Sequence, residues 1–218
     1  MTEPDPPAPA VEGPPIGPRS EEWDARYEEG TPHWDVGGPS PPLLHFLERG
    51  ELPSSGTVLV PGCGSGHELP VLARAGHAPV GLDFAPRAVE AARARLEEAG
   101  ESGRVLEADV LDPGIALEPD SVDWVFEQTC FCALPPDRRG DYVRTLARLV
   151  RPGGEVWALH MRTAYSERPP YDSDPDEVVA LYAAAGFELV EHRALEDVSL
   201  ERRKGRESLL RFRRVATP

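Results

Sequence analysis

The chain has 218 residues, 40% of them hydrophobic, which is room for one generous domain or two tight ones. Asp and Glu outnumber Lys and Arg by 38 to 23, and the net charge of −15 at pH 7 argues against a protein that tracks nucleic-acid phosphates or an anionic membrane. No apolar run is long enough for a membrane span, and Met1 is followed by acids and prolines rather than by a secretory signal.

Residues 1–20 are rich in proline and lack apolar periodicity, so they are expected to form a disordered leader. From there to residue 218 one domain suffices, opening with a lid over 21–42. Trp23 and Tyr27 are spaced to share a face of a helix over 21–29, and Gly30, Pro32 and Gly37 break it, leaving Trp34 in a loop. A second helix is predicted over 41–48. Then comes a regular alternation. Strands are predicted over 57–60, 78–82, 105–108, 122–126 and 155–160, and helices over 69–75, 85–99, 142–150 and 176–185. Two further strands, 187–195 and 209–215, close the chain. Strands alternating with helices imply an α/β fold, a Rossmann-like, seven-stranded, mostly parallel sheet with helices on both faces. Cys63, Cys130 and Cys132 are an odd count without a CxxC pair, so no disulfide framework or structural zinc is expected and a reducing cytoplasm is the default setting.

The most informative stretch is Val58-Leu59-Val60-Pro61-Gly62-Cys63-Gly64-Ser65-Gly66-His67-Glu68, which leaves the first strand and opens a helix. Glycines at such a turn let the backbone approach a ligand without Cβ clashes. Asp83 ends the second strand, 17 residues beyond Gly66, where a carboxylate can accept both hydroxyls of a ribose. Two cofactor classes share this geometry. Dinucleotide folds use G-x-G-x-x-G; here the spacing is G-x-G-x-G, with His67 at the place of the third glycine, which speaks against an NAD(P)-dependent oxidoreductase. Asp109, after the third strand, is a second acid suited to an adenine amino group.

With Arg151-Pro152-Gly153-Gly154 and Ala185-Gly186-Phe187, this order of motifs resembles the class I S-adenosylmethionine-dependent methyltransferases. Flanking residues narrow the resemblance. Trp23-x-x-x-Tyr27, Gly30-Thr31-Pro32-His33-Trp34-Asp35-Val36-Gly37, and Gln128-Thr129-Cys130-Phe131-Cys132-Ala133-Leu134 are similar to the thiopurine S-methyltransferase family, and best to its thiol, thiocyanate and halide branch. His33 is an insertion relative to that pattern, and Tyr27 stands where the plant branch usually has Trp.

The resemblance implies S-adenosyl-L-methionine as cofactor, with contacts at Trp23, Tyr27, Trp34, Gly62, Gly64, Asp83, Asp109, Val110 and Gln128. Indole and phenol faces attract the sulfonium cation. Glu127 either lines the sulfonium end beside Gln128 or caps a turn. The implied reaction is in-line methyl transfer to a small thiol or anion, catalytic assistance coming from Arg139 and the Phe131 region. Arg139 either serves the acceptor or is a solvated helix-start arginine. His160 is either a proton acceptor for a neutral thiol or hydrogen-bonded structure. No metal, nucleic acid or membrane is expected as a partner, and a monomer is favoured. The other reading left standing is a protein of this fold that binds cofactor or metabolite without turnover.

Overall fold

The computed structural model describes residues 20–216 apart from Thr31 and His33. The expected leader, save Ser20, and the inserted histidine therefore lie outside the described residues. Two short helices come first, α1 (Ser20–Glu28) and α2 (Pro41–Glu48). Next are β1 (Thr57–Pro61), α3 (Glu68–Arg74), β2 (Ala78–Asp83), α4 (Pro86–Glu98) and β3 (Arg104–Glu107). The second half runs β4 (Val122–Gln128), α5 (Arg139–Leu149), β5 (Val150–Met161), α6 (Pro175–Ala184), β6 (Phe187–Ala194) and β7 (Glu207–Arg214).

All seven strands join one sheet in the order β3-β2-β1-β4-β5-β7-β6. The first five are parallel, and β7 runs antiparallel to both β5 and β6. This is the Rossmann-like architecture expected from the alternation of strands and helices. The chain winds outward from β1 through β2 to β3, then returns to place β4 on the other side of β1. That reversal opens a crevice at the carboxyl ends of β1 and β4, where ligands of open α/β sheets bind.

Residue alternation along the strands builds a core on each face. On one face Val58, Val60, Trp124, Phe126 and Trp157 pack against Leu43 and Phe46 of α2, Leu69 and Leu72 of α3 and Val89 of α4. On the other, Leu59, Val125, Val156 and Ala158 meet Tyr142 and Leu146 of α5 and Tyr182 of α6. Tyr182 lies flat on Phe212 of β7, with centroids 4.1 Å apart.

Local signals set the boundaries. Asp174 caps α6 by accepting from the Asp176 N–H, with Pro175 opening the helix. Two boundaries differ from expectation in ways that matter for the site. The strand predicted over 122–126 continues to Gln128, because Glu127 and Gln128 pair with Ala158 and Leu159 of β5. The helix predicted from residue 142 starts at Arg139, after two 3-10 turns over Phe131–Ala133 and Pro136–Arg138. No helix among the described residues is long and apolar enough to cross a membrane.

Candidate active site

The loop leaving β1 is shaped for close approach. Gly62 and Gly64 have φ of +59° and +53°, the left-handed region that favours glycine. A Cβ on Gly64 would stand 2.9 Å from the Tyr27 hydroxyl, and one on Gly62 would stand 3.0 Å from the Cys130 sulfur. Asp83, at the end of β2, holds this loop. Its Oδ2 accepts from the Gly64 N–H at 2.9 Å, and its Oδ1 accepts from the Ala85 N–H at 3.0 Å. Burial nevertheless pushes its carboxyl above the usual range.

Above the loop sits the N-terminal segment. Trp34 donates from Nε1 to the Tyr27 hydroxyl at 3.2 Å, and the Trp23 and Trp34 rings meet edge-on at 4.9 Å. Asp35 ties the segment down: its Oδ2 accepts from the Ser65 hydroxyl at 2.7 Å, and its Oδ1 lies 2.9 Å from His67 Nε2. Burial works against ionisation of Asp35, yet Ser65, the Gly37 N–H and His67 together hold its carboxyl below the usual range. Asp24 and Glu28 of α1 add ion pairs to Arg87 of α4. Tyr27→Phe removes the bond from Trp34, worth about 0.5–1.5 kcal/mol. The expected result is a several-fold loss of affinity for S-adenosylhomocysteine in calorimetry, with little change in melting temperature.

Beneath this cover is an open cleft lined by Tyr27, Trp34, Gly62, Gly64, Phe126 and Gln128 among others. Of the residues predicted to contact a cofactor, those five other than Phe126 are brought to one wall. Trp23 is not on that wall and touches it through Trp34. Asp83 joins it through Gly64. Asp109 and Val110 follow β3: the Asp109 carboxylate accepts from the Leu111 N–H at 2.8 Å, while Val110 is buried in the core.

A second, narrower cavity is lined by Glu127, Phe131, Cys132, His160, Met161, Ser173 and Tyr182 among others, and Thr129 belongs to both walls. Glu127 thus parts from Gln128, which sets aside the reading that places the two side by side and keeps the one in which Glu127 caps a turn. Successive strand residues face opposite sides of a sheet, so β4 sends Gln128 to the cleft and Glu127 to the cavity. Glu127 is 2% exposed and its Oε1 accepts from the Cys130 and Phe131 N–H groups, both at 2.9 Å. Burial lifts its carboxyl to about 7. Thr129 between the two spaces has φ +61°, an outlier for a β-branched residue and a form of strain that clusters at functional sites.

Arg139 is not solvent-facing but 4% exposed. Its guanidinium stacks on the Phe131 ring at 4.7 Å and donates to the Tyr171 and Asp172 carbonyls at 3.0 and 3.1 Å. It braces the cavity wall from outside and is not itself part of the lining. All three cysteines are free and buried, and burial raises every one of their thiols, Cys132 to about 12. Among the described residues no group of three or more His, Cys, Asp or Glu side chains is placed to hold a metal. Asp35, Ser65 and Thr129 belong to this site although none was singled out from the sequence; the Asp directly after Trp34 was the available signal.

A crevice at the strand ends, a glycine loop tied to the acid of β2 and an aromatic cover define a class I methyltransferase, and the cleft fits S-adenosylmethionine. The sequence pattern of the thiopurine S-methyltransferase family matches residues 19–215, and the chain belongs to that family. It is 30% identical over 197 residues to “Probable thiol methyltransferase 2” of Arabidopsis thaliana, covering 89% of this chain and 85% of the relative. It is also 30% identical to “Thiocyanate methyltransferase 1” of Brassica oleracea, covering 88% and 84%. A solved structure described as “Conversion of a Disulfide Bond into a Thioacetal Group during Echinomycin Biosynthesis” superposes with a TM-score of 0.75 at 26% identity, covering 90% of this chain and 93% of that one. The chain is accordingly an S-adenosylmethionine-dependent methyltransferase.

Proposed function

We propose that the acceptor is a small thiol or sulfide, received next to the cofactor cleft in the cavity behind Thr129. The observation that carries this reading is the meeting of the two spaces at that one strained residue, beside Phe131, Cys132 and Met161. The names of the Arabidopsis and Brassica relatives, a thiol and a thiocyanate methyltransferase, support a small sulfur acceptor.

When bound, S-adenosylmethionine supplies an electrophilic methyl group on a sulfonium. Tyr27 and Trp34, with Trp23 behind them, close over the cleft as a lid and favour a cation through their ring faces. Asp83 holds the ribose hydroxyls and Asp109 the adenine, with Val110 beside it. Gly62 and Gly64 leave room for the methionine end, and Gln128 orients it. Phe131 excludes water from the acceptor, and Arg139 keeps Phe131 in place. The protein's contribution is alignment and dryness, which suit a displacement in which opposite charges cancel. The three buried thiols support a reducing, cytoplasmic setting.

Mass spectrometry of headspace and solution, after supplying S-adenosylmethionine with hydrosulfide, methanethiol, thiocyanate, iodide or an aromatic thiol, tests the acceptor class. The methylated products of sulfide and methanethiol are expected to form fastest, ahead of methyl thiocyanate. Turnover of the aromatic thiol alone, or of none, overturns the proposal.

A further inference from the structure

The narrow cavity has a polar composition that packing does not require. The pleat of β5 puts His160 on the same face as Ala158, which pairs with Glu127 of β4. The His160 ring is buried, and its Nε2 lies 3.1 Å from the Ser173 carbonyl oxygen and 3.0 Å from the Ser173 hydroxyl. A carbonyl oxygen only accepts, so Nε2 carries the hydrogen and the neutral ring keeps its lone pair on Nδ1. Tyr182, also on the cavity wall, is fully buried and its hydroxyl has no hydrogen-bond partner. Arg139 directs its two terminal nitrogens at the Asp172 and Tyr171 carbonyls and away from the cavity lining.

We propose that this cavity takes its sulfur acceptor in the protonated form and that His160 is the base that removes the proton. The inference rests on the methyltransferase reading above. The acceptor's S–H bond breaks, its proton goes to Nδ1 of His160, and its electron pair forms the new bond to the methyl carbon. The carbon–sulfur bond of the cofactor breaks with its pair returning to the cofactor sulfur, and His160 then passes the proton to solvent. A preformed anion such as thiocyanate gains nothing from this base and meets the Glu127 carboxyl.

The surroundings keep His160 available. Burial, with Arg162 and His192 of β6, holds the ring below its ordinary value against the opposing effect of Ser173 and Asp172. Glu127 of β4, Cys132 of the following turn and Tyr182 of α6 are the titratable groups on the cavity wall itself. At the adjoining end of β7, Glu207 is paired with Arg203.

His160→Gln keeps a donor for Ser173 and loses the base. At neutral pH its kcat on methanethiol is expected to fall about 100-fold further than its kcat on thiocyanate, with KM little changed. That deficit is expected to narrow as pH rises towards the acceptor thiol's own pKa, where it ionises unaided. Equal losses on both acceptors without recovery at high pH, or no loss, overturn the assignment. The second readout is the His160 imidazole resonance in the wild-type protein with S-adenosylhomocysteine bound. Hydrogen sulfide is expected to raise the protonated fraction of the ring, and an unchanged titration counts against it. A wild type that methylates no sulfur acceptor overturns the functional reading, and the resonance still decides the role of His160.

Discussion

Asp83→Ala is expected to weaken S-adenosylhomocysteine binding by roughly 1.5–3 kcal/mol, the range for hydrogen bonds to a charged group. That is about ten- to a hundredfold in dissociation constant, well within reach of calorimetry. Two effects act together. The carboxylate at the end of β2 is the acceptor proposed for the ribose hydroxyls, and it also fixes the turn by accepting from the Gly64 and Ala85 N–H groups. Asp83→Asn keeps one carbonyl oxygen for the loop and lacks the second acceptor for a diol. An intermediate affinity is therefore expected, with the melting temperature nearer to wild type than that of the alanine variant. If both variants bind as tightly as the wild type, Asp83 has no place in the site. If both lose binding only in proportion to lost stability, its work is confined to the loop.

The parts of this site that could be read in advance share a local signal. Glycines between a strand and a helix require a turn of a particular kind, and an acid at the next strand end follows at a fixed distance in chain and space. The apolar runs of β1, β2 and β4 similarly needed no tertiary information, since a strand buried on both faces is apolar throughout. What could not be read depends on contacts distant in sequence. Arg139 had two readings of equal standing until residues 171 and 172 came back to meet its guanidinium, more than 30 positions further on. His160 was equally ambiguous until Ser173 fixed its tautomer.

Glu127 and Gln128 show a different failure. Adjacent in sequence, they leave two readings open, one ligand shared by both or a turn capped by Glu127. Ending β4 two residues early concealed that both are strand residues and so point to opposite faces. The extension rests on pairing with β5, a register that pattern alone does not reveal. Asp35 follows Trp34 directly, but its contacts with the Ser65 hydroxyl and the His67 ring lie 30 and 32 positions along the chain and are set by the fold.

Glu127 also provides the largest expected pH effect. Its carboxyl, ordinarily near 4.5, is raised by burial to about 7, against the opposing pull of the Phe131 and Cys130 N–H groups and the Arg139 charge. Below 4.5 the group is protonated in both folded and unfolded chains and contributes nothing to the pH dependence. Between 4.5 and about 7 the unfolded chain releases the proton while the folded one keeps it, so stability falls as pH rises through that window. Each pH unit of such displacement is worth roughly 1.4 kcal/mol, so the full penalty above neutrality is roughly 3 kcal/mol. Glu127→Gln removes the titration and keeps an oxygen to accept from Cys130 and Phe131. Denaturant unfolding of the two proteins is expected to give similar stabilities in mild acid and a variant more stable by up to roughly 3 kcal/mol at alkaline pH. The comparison is made as a difference because Asp35, Asp123 and Asp172, whose carboxyls are held low, impose the opposite slope on both proteins alike. A difference that does not change with pH would mean that Glu127 is ionised in the folded protein at neutral pH. The narrow cavity would then hold a fixed negative charge, which excludes anionic acceptors more strongly and strengthens the demand for a base such as His160.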